Sequence, residues 1–128
     1  MKRVTPQLWF DGNADKAVEF YLDVFPQSEI VKTHYHDKKD SGANGEISSI
    51  DFRVMGQEFT ALNGGSQFNF NPAVSFVVNC ASDLEKESIW RKLAEHGKPL
   101  EDGWVKDKYG LAWQIVPGAM TNDIANAA

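Results

Sequence analysis

The order in which periodic segments follow one another is the strongest constraint on this chain. Two helical stretches, each preceded by an apolar strand and followed by further strands, divide it into halves of one design. Val4 to Phe10 is apolar enough for a strand, and Asp11-Gly12-Asn13 forms a turn in which Asp11 or Asn13 can cap a helix. From Ala14 onward Ala17, Val18, Tyr21, Val24 and Phe25 recur at spacings of three and four, which marks one face of a helix that Pro26 ends. Ser28 to Tyr35 reads as a strand, and Asp37 to Gly45 as a polar loop. Ile47 to Val54 alternates, with Ile50, Phe52 and Val54 on one side and Ser49, Asp51 and Arg53 on the other. Met55-Gly56-Gln57 turns into Glu58 to Leu62, so these two strands form a hairpin, and Asn63-Gly64-Gly65 closes the half.

The second half repeats the order. Ala73 to Asn79 is a strand, and Ser82 or Asp83 caps a helix from Leu84 to about His96. Gly97 is placed as its C-cap, with Pro99 beyond. Gly103 to Lys106 is a short strand, Asp107-Lys108-Tyr109-Gly110 a turn with its acid and amine facing solvent, and Leu111 to Val116 a strand stopped by Pro117-Gly118. The expectation is a single domain of two modules, residues 1–66 and 72–118, with a tail at 119–128. Each module is roughly 60 residues, too small to be stable by itself. Residue identity between the halves is weak, so the repeat is one of element order.

Composition excludes several classes. The formal charge is −5, and Lys38-Lys39 is flanked by Asp37 and Asp40, so no basic footprint for a nucleic acid is present. No run approaches the roughly 20 apolar residues of a membrane span. Val4 to Phe10 holds Pro6 and Gln7 and meets Asp11 at once, unlike a secretory segment. The one cysteine, Cys80, excludes an internal disulfide and a multi-cysteine zinc site. A cytoplasmic protein is expected. Cys80 has no histidine or basic residue beside it in sequence, and reads as a small packing residue rather than a nucleophile.

Several separate blocks carry a family resemblance. They are Leu8-Trp9-Phe10-Asp11-Gly12-Asn13-Ala14, Ala17-Val18-Glu19-Phe20-Tyr21, Val24-Phe25-Pro26, Phe59-Thr60-Ala61-Leu62-Asn63-Gly64-Gly65, Pro72 to Val78, and Trp104 to Pro117. Over nearly its whole length the chain resembles the PhnB-like family, whose members often carry the description 3-demethylubiquinone-9 3-methyltransferase. That family lies in the glyoxalase/bleomycin resistance/dioxygenase, or vicinal oxygen chelate, superfamily. The resemblance implies an α+β fold of two βαβββ modules with curved mixed sheets, a cup between the modules that holds a metal or a ligand, and a homodimer. It does not fix an activity, since one fold hosts many chemistries.

In metal-dependent members of the superfamily the ligands are histidine, glutamate or glutamine on the first and last strands of each module. Carried onto this sequence, those positions fall near Pro6 or Gln7, on Ala61, near Ala73, and on Gln114. Only the two amides have donor atoms, and a catalytic divalent site takes about three protein ligands with histidine or carboxylate among them. No metal and no other cofactor is expected. His34 and His36, two apart on a strand, share a face and could chelate, but no third ligand is evident, so they read as exposed strand-end residues. His96, at the end of a helix, suits the helix dipole.

If Gln114 points into the cup, strand alternation assigns its other walls. On the first strand these are Gln7 and Trp9; on the fourth, Phe59, Ala61 and Asn63; on the fifth, Ser75 and Val77 with Ala73 and Asn79. This lining is amides and a hydroxyl beside aromatics, with few acids or bases, and suits a neutral or weakly polar small molecule. A filled core is the competing reading. Phe68, Phe70, Trp104 and Tyr109 either rim the opening or pack at a module junction or dimer interface. No strand is followed by a glycine-rich loop opening a helix, as a nucleotide-type methyl donor would want, which argues against a methyltransferase. The expected function is metal-free binding of a small molecule, with a metal-dependent lyase, isomerase or dioxygenase as the alternative.

Overall fold

The computed structural model describes residues 3–36 and 46–117. The polar loop expected at Asp37 to Gly45, with its Lys38-Lys39 pair, and the tail at 119–128 lie outside the described residues. The chain forms two compact units, divided between Asn69 and Phe70.

The first unit runs β1 (Gln7–Asp11), α1 (Ala14–Val24), β2 (Ser28–Tyr35), β3 (Ile47–Val54) and β4 (Gln57–Gly64). Its sheet has the order β1-β4-β3-β2. β1 joins β4 in parallel, while β3 pairs antiparallel with both β4 and β2. α1 buries Ala14, Ala17, Val18, Tyr21 and Val24, the stripe its sequence spacing dictates. Opposite lie Leu8 and Phe10 of β1, Ile50, Phe52 and Val54 of β3, and Phe59 and Ala61 of β4, all buried. Tyr21 stacks over Phe52 with centroids 6.3 Å apart, and Phe52 over Phe59 at 5.5 Å.

The cap of α1 differs from the sequence reading. Asn13 makes no side-chain cap bond. Instead the Ala14 N–H donates to Oδ1 of Asn63 at 2.8 Å, and Nδ2 of Asn63 donates to the Ile47 carbonyl at 3.0 Å. A side chain on the fourth strand thus satisfies one of the free N–H groups at the helix start. The β3–β4 hairpin reverses through Met55 and Gly56, both at positive φ, 48° and 89°.

The second unit runs β5 (Ser75–Asn79), α2 (Asp83–Ala94), β6 (Lys98–Pro99), β7 (Trp104–Lys106) and β8 (Ala112–Val116), with sheet order β5-β8-β7-β6. β5 and β8 are parallel, again first with last. The two-residue β6 has no counterpart in the sequence reading, being too short to show a period. Ser82 caps α2 by accepting from the Glu85 N–H at 3.1 Å, while Glu85 accepts from the Ala81 N–H at 3.2 Å. α2 buries Ile89 and Leu93. Trp113, Ile115, Val105 and Val78, also buried, form the sheet face of this core.

The expected Gly97 C-cap is corrected. Glu95 caps the helix and His96 takes the left-handed conformation at φ 62°. Gly97 serves a close approach instead, since a Cβ there would sit 2.5 Å from the Lys106 carbonyl oxygen and 2.6 Å from that of Leu93. The Asp107–Gly110 turn also departs from expectation, because Asp107 is buried at 3% exposure rather than facing solvent. Its Oδ1 accepts from the N–H groups of Tyr109 (2.8 Å) and Leu111 (3.1 Å), and its Oδ2 from the Trp113 indole (2.9 Å).

Candidate functional site

The helices cover one face of each sheet and leave the other to be read for chemistry. In the first unit, register brings Gln7 beside Thr60, Thr60 beside Asp51, and Asp51 beside Lys32. The next row is Trp9, Leu62, Ser49 and His34. Paired residues point to one side of a sheet, so these two rows share the face away from α1.

Phe59, Ala61 and Asn63 belong to the other face, which corrects the sequence reading that stands them with Gln7 and Trp9. Leu8 is the register partner of Ala61, and Phe59 and Ala61 are packed in the α1 core. Asn63 is occupied by the α1 N-terminus and the Ile47 carbonyl. The reason is hydrophobic parity: Phe59 and Ala61 fill the layer below Tyr21, which turns Glu58, Thr60 and Leu62 outward.

The open face is richer in charge than the sequence reading allows. Asp51 lies between His34 and Thr60. Its Oδ2 is 2.9 Å from His34 Nε2, and its Oδ1 accepts from the Thr60 hydroxyl at 2.8 Å. The His34 bond holds the Asp51 carboxyl below its ordinary value, with burial opposing the effect and Thr60 adding to it. Arg53 bridges two glutamates, donating to Glu29 from Nη1 and to Glu58 from Nη2, the latter at 3.3 Å. Thr5, Val31, Asp51, Glu58 and Thr60, with Phe52 and Phe59, line a hollow of about 390 Å³.

Trp9 forms an aromatic wall on the same face. Its indole N–H donates to the Gly65 carbonyl at 2.8 Å, and the Phe68 ring meets it edge-on at 5.1 Å. The indole crosses the backbone at Gly64, where any Cβ would collide with its six-membered ring. Asn63-Gly64-Gly65 is therefore a seat for Trp9 as well as a strand end.

In the second unit the register places Ser75, Val77 and Gln114 on one face, with Trp104 opposite Gln114 on β7. Their neighbours Phe76, Val78, Trp113 and Ile115 face the α2 side. Gln114 is half-buried and Val77 exposed. Cys80 is 1% exposed, and burial pushes its thiol up to about 11, which leaves no nucleophilic thiolate at neutral pH.

His34 and Asp51 bring an imidazole and a carboxylate together on the first open face, and Thr60 adds only a hydroxyl. Among the described residues no group of three or more histidine, cysteine or acidic side chains could hold a metal ion. Nε2 of His34 is committed to Asp51 rather than to a His34–His36 chelate. At this place one imidazole and one carboxylate fall short of the roughly three protein ligands of a catalytic divalent ion. Sequence reasoning misses the Asp51 site because its parts lie on three strands. Alternation does set Asp51 outward on β3, but only register brings His34 and Thr60 to it.

Two βαβββ units, each with a four-stranded mixed sheet and one longer helix, define a protein of the glyoxalase fold. The chain belongs to the family whose model is described as 3-demethylubiquinone-9 3-methyltransferase, matched over residues 2–116. A solved structure from Bacillus cereus, a putative 3-demethylubiquinone-9 3-methyltransferase described as a PhnB protein, is 34% identical, with a TM-score of 0.80 over 91% of this chain and 99% of that one. Protein PA1353 from Pseudomonas aeruginosa is 19% identical, with a TM-score of 0.72 over 91% and 98%. The fosfomycin resistance protein FosX from Listeria monocytogenes, solved with Mn(II) and sulfate, is 16% identical, with a TM-score of 0.67 over 96% and 97%. The last two likenesses concern the fold alone. No curated protein sequence gives a significant match. No helix among the described residues is long and apolar enough to cross a membrane.

Proposed function

We propose that this chain binds a small molecule, without a metal ion, against the open face of its first sheet. The observation that carries the reading is the hollow over Asp51. At about 390 Å³ it falls within the range of small-molecule sites, and its polar groups are few and already oriented. His34 and Thr60 fix the Asp51 carboxylate before any ligand arrives, so little ordering cost remains. Trp9 supplies a flat apolar surface on the same face. Of the lining candidates, Gln7 and Trp9 stand on this open face of the first sheet, where Thr60 and Asp51 join them; Ser75, Val77 and Gln114 stand on the open face of the second sheet. Phe59, Ala61 and Asn63 support α1 instead.

The family description names a methyltransferase, yet the local structure favours binding without methyl transfer. The β1–α1 connection has a single glycine, and the first helical N–H is already taken by Asn63. The glycine-rich turn with which a nucleotide-type cofactor is cradled at a helix start is not formed in that connection. The reading also includes a homodimer in the cytoplasm. The family resemblance supports the dimer, and a lone buried thiol suits a reducing compartment.

Native mass spectrometry of protein purified from its host tests this directly. The expected spectrum shows a dimer with a bound organic mass that is lost on Asp51→Ala. Elemental analysis and calorimetry with divalent metals supply the contrary outcome. A stoichiometric, tightly held metal that disappears in Gln114→Ala overturns the reading in favour of a metal-dependent lyase, isomerase or dioxygenase.

A further inference from the structure

A second hollow, of about 500 Å³, lies between α2 and the β6–β7 turn. Asp83, Lys86, Glu87 and Trp90 of the helix line one wall, and Leu100 and Gly103 the other. Asp83, Glu87 and Trp90 follow at spacings of four and three, so they form one stripe along the helix. That stripe is separate from Ile89 and Leu93, which α2 buries in its own core. The opposite wall is held by backbone bonds. The Leu100 N–H donates to the Trp104 carbonyl at 2.8 Å, the Trp104 N–H to the Glu101 carbonyl at 3.1 Å, and the Ile115 N–H to the Gly103 carbonyl at 2.9 Å. The turn is thereby tied to β8.

Its chemistry is specific. Trp90 is half-buried, and among the described residues its indole N–H has no acceptor. A large aromatic ring therefore faces the hollow with its own hydrogen-bonding unfinished. Two carboxylates, Asp83 and Glu87, stand against one ammonium, Lys86, so the rim is net negative. Leu100 adds an aliphatic surface. An aromatic face beside carboxylates attracts a cation through both the ring quadrupole and charge-assisted hydrogen bonds. The apolar walls then select a cation with a hydrophobic body.

We propose that this groove between α2 and the β6–β7 turn binds a small amphiphilic amine, an ammonium group carried on an aromatic or aliphatic body. The site is on the helix side of the second sheet, away from the face carrying Ser75, Val77 and Gln114. It therefore stands or falls independently of the ligand proposed for the open face of the first sheet.

The test is a titration with phenethylamine at neutral pH, followed by the ¹H–¹⁵N indole resonance of Trp90, which Trp90→Phe assigns among the four tryptophans. A saturable shift of that resonance is expected. The double variant Asp83→Asn/Glu87→Gln should weaken binding at least roughly threefold, on the order of one lost charge-assisted contact. Phenylacetate, with the opposite charge on a similar body, should not shift the signal. Lys86→Gln, which leaves the helix intact and makes the rim more negative, should tighten phenethylamine binding. No saturable shift at Trp90, equal shifts by phenylacetate, or unchanged affinity in Lys86→Gln overturns the proposal.

Discussion

Asp107 holds the indole of Trp113 through a 2.9 Å hydrogen bond in a place where both residues are only 3% exposed. The same carboxylate gathers the N–H groups of Tyr109 and Leu111. One side chain therefore shapes the turn into β8 and pins the largest ring of the second core. Asp107→Ala leaves three donors without their acceptor, and the expected loss is about 3 kcal/mol. Asp107→Asn keeps one oxygen for the turn and should lose less. Urea unfolding followed by tryptophan fluorescence gives both values, and equal losses for the two variants would contradict the separate roles assigned to Oδ1 and Oδ2.

Gly64 and Trp9 make a steric pair. A methyl group at position 64 would occupy space the indole fills, so Gly64→Ala must move Trp9. Crowding of this kind costs about 1–3 kcal/mol. In Trp9→Ala the same Gly64→Ala change should cost far less. A double-mutant cycle on thermal or urea stability measures the difference. Simple additivity would show that the indole does not rest on this glycine.

Asp51 predicts a pH dependence with a definite sign. Its folded-state value lies below the ordinary 3.8, chiefly through the bond to His34. A lowered carboxylate contributes stability that is full above the unfolded value and lost as pH falls through the folded one. The contribution should therefore fade as pH drops through and below 3.8. Asp51 is 39% exposed at its side chain, so solvent screening keeps the effect small. Carbon-13 titration of the Asp51 carboxyl should show a midpoint under 3.8 that rises in His34→Ala. An unmoved midpoint would remove His34 as the cause.

Cys80 should be silent toward thiol reagents. Its thiol, raised to about 11 and 1% exposed, offers almost no thiolate at about pH 8. Ellman's reagent is expected to react with the unfolded chain and not with the native one over the same interval. Rapid native labelling would mean that β5 and the loop after it open readily.

The helices are the most legible part of the sequence. The Ala17–Val18–Tyr21–Val24 stripe and the Ser82 cap are local signals, each complete within a few residues. The Met55–Gly56 hairpin is local in the same sense. Parity on β4 is where the sequence reading fails, because carrying the family ligand position onto Ala61 takes Phe59 and Asn63 with it. The alternation of Phe59 and Ala61 with Glu58 and Thr60 already separates an apolar face from a polar one. Asn63 cannot be read as the α1 cap, because its partner Ala14 is 49 positions away. The His34–Asp51–Thr60 site has the same character. Each residue type is visible, but the interstrand register that unites them is a tertiary result.

In each unit the first strand pairs in parallel with the last, β1 with β4 and β5 with β8. The consequence is temporal. As the chain leaves a ribosome, Gln7–Asp11 has no place in a sheet until Gln57–Gly64 has emerged. The β3–β4 hairpin, being local, is free to form first, and the closing step must then bring in the early strand across about fifty residues of chain. A nascent chain halted before residue 57 exposes β1 as an unpaired apolar edge, which is the form most open to pairing with a neighbour.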